Sequence, residues 1–230
     1  MRSVLVETNW VVDWAAPVHH RKSGAERLLE RARAGEFRLH VPSVSLVEAR
    51  KVITTRFVPR REAHALRTFA HQLAAEGRLS EVEQQVVARV CASFEDRFSN
   101  ELQGLDGRIG ALAALPYVEV YALDDEMLAE SVRLASEPGL DLAPFDAAIF
   151  SSVLVLGRRL RQAGVEVCFA ELDADLQPWR RDKSTGQWGR KQPLSRLYDE
   201  AQIWVYGDFD LGHPDPGAGW VGWSLRGEPA

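Results

Sequence analysis

A chain of 230 residues, 46% hydrophobic and 27% charged, has the make-up of a globular protein of one or two domains, long enough to bury a core without metal or disulfide staples. That composition excludes a disordered tail, a collagen-like fibre and a heptad rod. With 28 Lys and Arg against 33 Asp and Glu, the net charge of −5 argues against general coating of nucleic acid but leaves room for a local basic groove.

The first element is the apolar run Val4-Leu5-Val6, which Glu7 ends. It is too short for a signal-peptide core and reads as a buried strand, with a helix-like stretch from Trp10 to Ala16 after it. A second helix is predicted from Ser23 to Ala34, with Ala25, Leu28, Leu29 and Ala32 on one face and Gly35 at its end. Arg38 to Val41 is strand-like, and Pro42-Ser43 opens a helix carrying Val44, Val47, Glu48 and Val52.

From Arg60 to about Gly104 the pattern is helical, with no strand in it, and reads as a two-helix excursion from an alternating α/β unit. Next come a strand at Tyr117–Ala122, a helix at Asp124–Ala135, a break at Pro138-Gly139 and a helix from Pro144 to about Gln162. Val165–Ala170 is a strand running into Glu171-Leu172-Asp173-Ala174-Asp175. A polar, basic loop then spans Gln177–Gln192, before a short helix at Leu194–Ala201 and a strand at Ile203–Tyr206. Strands alternating with helices imply an α/β fold with a parallel sheet flanked by helices. From Gly207 the tail is rich in Gly, Pro and Trp.

Ligands of open α/β sheets bind beyond the carboxyl ends of the strands, so acids at those positions carry information. Glu7 follows the first strand, Asp173 and Asp175 follow the Val165–Ala170 strand, Asp146 lies in a first helical turn, and Glu48 lies early in the helix after the second strand. Each also has a plain reading. Glu48 fits a capping box with Ser45, and Asp146 would complement a helix dipole. Gathered together, the acids would be costly: two carboxylates about 4 Å apart repel by about 4 kcal/mol at an effective dielectric of about 20. An all-oxygen cluster therefore suggests a hard dication, Mg²⁺ or Mn²⁺.

In register, these motifs resemble the PIN domain of VapC-type toxins and PIN-like ribonucleases. The resemblance rests on Val4-Leu5-Val6-Glu7-Thr8-Asn9, the Pro42-Ser43-led helix with Glu48, Asp146-Ala147-Ala148-Ile149, and Leu172-Asp173-Ala174-Asp175-Leu176. It covers most of 1–60 and 115–206. It implies a PIN-like α/β domain over 1–206 with a helical insertion at about 60–104, followed by an extension at 207–230. The implied activity is hydrolysis of RNA phosphodiesters by a metal-activated water. Glu7, Glu48, Asp146 and Asp173 would hold Mg²⁺ or Mn²⁺, Asp175 would support a second ion, and Thr8 and Asn9 would orient the ligands. This chain departs from the family's pattern in three ways: Glu7 stands where Asp is usual, the helical insertion is extra, and the loop at 177–193 is long. A toxin would bring an antitoxin partner, which the arm at 60–104 could dock; a second subunit forming a homodimer, or a mere extension of the core, are the arm's other readings.

RNA would be held by the chain's uneven cations. Arg50, Lys51, Arg56, Arg60, Arg61 and Arg67 stand against Glu62 alone. Arg180, Arg181, Lys183, Arg190, Lys191 and Arg196 stand against Asp182, interleaved with Trp179 and Trp188 as a stacking surface. Arg158, Arg159 and Arg161 form a third cluster, and the acidic stretch from Asp124 to Asp141 is expected to face away from substrate. His19-His20 read as exposed loop residues, and Trp204, Tyr206, Phe209, Trp220 and Trp223 as core and edge cover. Cys91 and Cys168 have no metal-site spacing and read as buried thiols; with no membrane-spanning window, the expectation is a cytoplasmic protein.

Two rivals remain. Asp173-Ala174-Asp175 is similar to the Asp-x-Asp of haloacid-dehalogenase-type phosphatases, but that family places it after its first strand. The other is a non-catalytic PIN-like module that binds RNA or protein and keeps a degenerate acidic site.

Overall fold

A computed structural model describes residues 2–181 and 184–211, with Arg181 and Trp188 described by backbone alone. Its centre is a five-stranded parallel sheet. β1 (Arg2–Val6) is apolar enough to be buried on both faces, and Val4, Leu5 and Val6 have no exposed surface. It pairs with β2 (Phe37–Pro42) on one side and β4 (Glu166–Ala170) on the other. β3 (Val118–Tyr121) extends the sheet beyond β2, and β7 (Trp204–Tyr206) extends it beyond β4. The strand order is therefore β3-β2-β1-β4-β7.

This order creates a reversal. The chain leaves β1 through α1 (Thr8–Ala15), a 3₁₀ turn (Val18–His20) and α2 (Ser23–Arg33) to β2, and continues outward to β3. It returns through α7 (Asp125–Ala135) and α8 (Pro144–Gln162) to β4, on the opposite side of β1. Connections diverging from two adjacent strands leave a crevice above their carboxyl ends, where such sheets bind ligands.

Close packing holds α8 against the sheet. A methyl group at Gly157 would lie 2.9 Å from Ile203 Cγ1 and closer still to its Cδ1, so glycine lets the helix approach β7. The buried core runs from Val4 to Leu211 and takes in Trp204, Tyr206 and Phe209 as edge cover. Trp220 and Trp223 lie outside the described residues. Cys91 and Cys168 are free and buried. Among the described residues, no helix is long and apolar enough to cross a membrane.

The excursion after α3 (Ser43–Arg56) consists of α4 (Pro59–Ala75) and α5 (Glu81–Gln103). A capping box of Ser80 and Glu83 starts α5. A further helix, α6 (Leu105–Leu112), lies in a stretch for which the sequence pattern predicts no element. His19 packs on Phe94 and Phe98, while half-buried His20 lies against Phe57, 3.5 Å from Glu62. The histidines thus join the 3₁₀ turn to the arm, rather than both lying free in solvent.

The region 177–192 is not simply a loop. β5 (Trp179–Arg181) and β6 (Trp188–Arg190) pair antiparallel before α9 (Leu194–Ala201). Strands this short carry too few residues for a period-2 pattern to show.

Candidate active site

The carboxylates from separate parts of the chain meet at the carboxyl edge of β1 and β4. Glu7 ends β1 and caps α1, its side chain accepting a 2.7 Å hydrogen bond from the Asn9 N–H. Its second oxygen, Oε1, is buried and makes no hydrogen bond of ordinary geometry. Burial pushes the Glu7 carboxyl up to about 8, and the nearby charge of Asp173 adds to the rise. The amides of Asn9 and Leu172 and the Asn9 side chain oppose that rise without cancelling it.

Thr8, one residue on, donates its hydroxyl to Glu48 Oε2 at 2.5 Å. Glu48 is therefore tied to the end of β1. It does not cap its own helix, which starts after Pro42 with no side-chain cap, so the Ser45–Glu48 capping box is not formed. Asp146 sits in the first turn of α8, which begins with Pro144. A helix N-terminus favours a carboxylate, yet the Asp146 carboxyl is pushed up to about 6. Desolvation is the largest cause, followed by the charges of Asp173, Glu48 and Asp175. Asp173 accepts the Asp175 N–H at 2.8 Å in a tight turn after β4. Lys191 closes that turn from outside, donating to the carbonyls of Ala174 (3.1 Å) and Asp175 (3.0 Å).

Glu171, which the sequence motifs do not single out, is also here. It follows β4 directly, is fully buried, and its N–H donates to the Tyr206 carbonyl at 3.0 Å. Neither side-chain oxygen makes a hydrogen bond of ordinary geometry. Burial raises its carboxyl well above the usual range; Glu7 and Asp173 push it further, and the Asp173 N–H and Gln177 relieve it only in part. The one sequence signal is that Val4-Leu5-Val6-Glu7 and Cys168-Phe169-Ala170-Glu171 share an apolar run ended by Glu.

Among the described residues, no three His, Cys, Asp or Glu side chains stand close enough to form a ready-made metal cage. What fits a dication is the chemistry. The donors are all oxygen, Glu7 has a buried oxygen with no hydrogen bond of ordinary geometry, and Asp146 has its proton affinity raised by its acidic neighbours.

The cations are placed less favourably than expected. Arg50 makes a two-pronged pair with Asp106 (2.6 and 3.2 Å). Lys51, Arg56 and Arg180 are exposed, and Arg56 lies over the Phe57 ring. The side chain of Arg181 and all of Lys183 lie outside the described residues. Arg67 pairs with Glu95, Arg190 with Asp199, and Arg196 with Glu137 and Glu200. Trp179 is buried, so it is core and not a stacking platform. Arg158 and Arg159 are turned to the acidic stretch, bonding Glu130, Asp124 and Glu126, while Arg161 bonds Gln202. Arg158 and Arg159 thus bridge α8 to α7 and its N-cap, while Arg161 reaches the end of α9.

In comparisons with known proteins, no family model, no curated protein and no solved structure matches this chain.

Proposed function

We propose that this chain is a divalent-metal-dependent, PIN-like ribonuclease that hydrolyses RNA phosphodiesters. One observation carries the reading: Glu7, Glu48, Asp146 and Asp173, from four separate segments, share one sheet edge, and Asp146 is held near 6 partly by the charge of its acidic neighbours. Such repulsion is relieved when a cation binds.

Glu7, Glu48, Asp146 and Asp173 would hold Mg²⁺ or Mn²⁺, with Asp175 at the outer side. A bound ion of this kind supplies a polarised phosphoryl oxygen and a water that deprotonates near neutral pH. Thr8 fixes the direction of Glu48, and the Asn9 N–H fixes that of Glu7, leaving Oε1 free to ligate. Lys51, Arg56, Arg60, Arg61 and Arg180, all exposed, would meet the RNA phosphates. A toxin's antitoxin partner, a homodimer and a cytoplasmic location belong to the same reading.

The absence of a ready-made cage among the described residues favours a second reading, a PIN-like binding module whose acidic site no longer turns over. Cleavage of a mixed RNA pool with Mn²⁺, Mg²⁺ or EDTA separates the two, with Asp146→Asn and Asp173→Asn as controls. Cleavage that stops in EDTA and in both variants supports the nuclease. Cleavage persisting in either variant rejects the metal assignment, and saturable Mn²⁺ binding without cleavage supports the module.

A further inference from the structure

The helical arm carries an apolar face that nothing among the described residues covers. α4 packs mainly on α5, and within the pair only Ala63, Cys91 and Phe98 are buried. On the outside, Leu66 and Phe69 of α4 and Val82, Val86 and Val90 of α5 are each between 46% and 70% exposed. Residues three or four apart share a helix face, so Leu66, Phe69 and Leu73 make one stripe and Val82, Val86, Val90 and Phe94 another. The two stripes adjoin, because Leu66 and Val90 line the same side of the seam between the helices, in a hollow that Cys91 and Phe94 also line. Arg67, His71 and Gln84 lie on the other, polar side.

Helices in proteins draw most of their stability from packing an apolar face, and a contiguous exposed apolar patch marks an interaction site. Two features select a second copy of this chain as the occupant. One is size. Helices of 17 and 23 residues, rising about 1.5 Å per residue and each about 10 Å wide, present a shared face of about 25 by 20 Å. That is about 500 Å² in projection and more over the corrugated side chains, which brings it to the scale of the roughly 800 Å² that each partner buries in a standard interface.

The other feature is charge. Beside the valines, Glu81, Gln85, Arg89, Ser93 and Arg97 follow at every fourth position, acidic at the tip of the hairpin and basic towards its base, and all five are exposed. An antiparallel two-fold arrangement sets the Glu81 end of one α5 against the Arg97 end of the other. Tip-to-tip pairing would instead bring together Glu76 and Glu81 of both copies.

We propose that the outer faces of α4 and α5 are a homodimer surface, on which two copies pack antiparallel to complete a four-helix bundle, with the apolar stripes at its centre and the charged rows at its rim. None of these residues lies at the acidic edge, so the dimer stands or falls apart from RNA cleavage.

Sedimentation velocity of the full chain over a range of concentrations is the test. The wild type should move from monomer towards dimer by about 100 μM, the weak end for interfaces of this size. Val86→Lys combined with Val90→Lys, both at exposed positions, should weaken association about tenfold or more, with helix content by circular dichroism unchanged. Arg97→Glu alone should weaken it, and Glu81→Arg in the same chain should restore it, because the two ends meet across the two-fold axis. A wild type still monomeric at that concentration overturns the proposal. So does a dimer indifferent to the valine substitutions, or a charge reversal that has no effect or is not rescued by the second change. Should the double lysine variant not fold, hydrogen exchange of the wild type decides. Protection of 66–73 and 82–94 that grows with concentration supports the surface; protection that grows elsewhere, or nowhere, overturns it.

Discussion

The Thr8 hydroxyl and Glu48 Oε2, 2.5 Å apart, tie the first turn of α1 to α3 across 40 positions of sequence. The bond uses one lone pair of the Glu48 carboxylate and sets the direction of the rest. Hydrogen bonds to charged groups contribute about 1.5–3 kcal/mol, and partners of metal ligands commonly account for about 10–100-fold in metal affinity. Thr8→Val should therefore weaken Mn²⁺ binding about 10–100-fold, measured by titration calorimetry, while Thr8→Ser retains most of it. Unchanged affinity in Thr8→Val would remove Thr8 from the site.

The raised acids set a direction for the pH dependence of the metal-free protein. Glu7 moves from an ordinary value of 4.5 to about 8, and Asp146 from 3.8 to about 6. Between those limits the folded state binds more protons than the unfolded state, so stability declines as pH rises. In EDTA, urea melts should show less stability at about pH 8 than at about pH 5, with much of that slope absent in Glu7→Gln. Saturating Mn²⁺ should flatten the decline, because the ion replaces the proton. A metal-free protein whose stability instead climbs over that interval would contradict the assignment.

Gly157 allows α8 to meet Ile203, and an added methyl would force that side chain to move. Overpacking of this kind typically destabilises by about 1–3 kcal/mol. Gly157→Ala should lower the urea midpoint accordingly, and Ile203→Val in the same chain should recover part of the loss. Two variants that each destabilise and simply add would show that the close approach is not the cause.

The exposed cations and the bridging ones should behave differently towards RNA. Lys51→Ala and Arg180→Ala should each weaken single-strand binding and reduce the slope of log affinity on log salt by about 0.7 for each phosphate no longer neutralised. Arg159→Ala should leave that slope unchanged, because Arg159 faces Asp124 and Glu126 on the neighbouring helix. Filter binding at several salt concentrations reads both. An Arg159→Ala effect as large as that of Lys51→Ala would place the RNA track on the opposite side.

The sequence by itself determined the alternation of strands and helices and the position of four acids at element ends, because hydrophobic period and helix starts are written locally. Val4–Val6 and Val165–Ala170 are recognisable as buried strands, and Leu194–Ala201 is a helix over the span its pattern indicates. Only tertiary structure decided which strand ends are neighbours. That β1 lies between β2 and β4 puts Glu171 beside Glu7, and no periodicity records it. Tertiary packing also paired Arg158 and Arg159 with the acids of α7 and its N-cap, buried Trp179, and drew Glu48 away from its own helix cap to Thr8. The physical reason is common to all of these. A side chain's charge and hydrogen-bonding state depend on burial and on partners distant in sequence, and both are set only when the sheet has chosen its strand order.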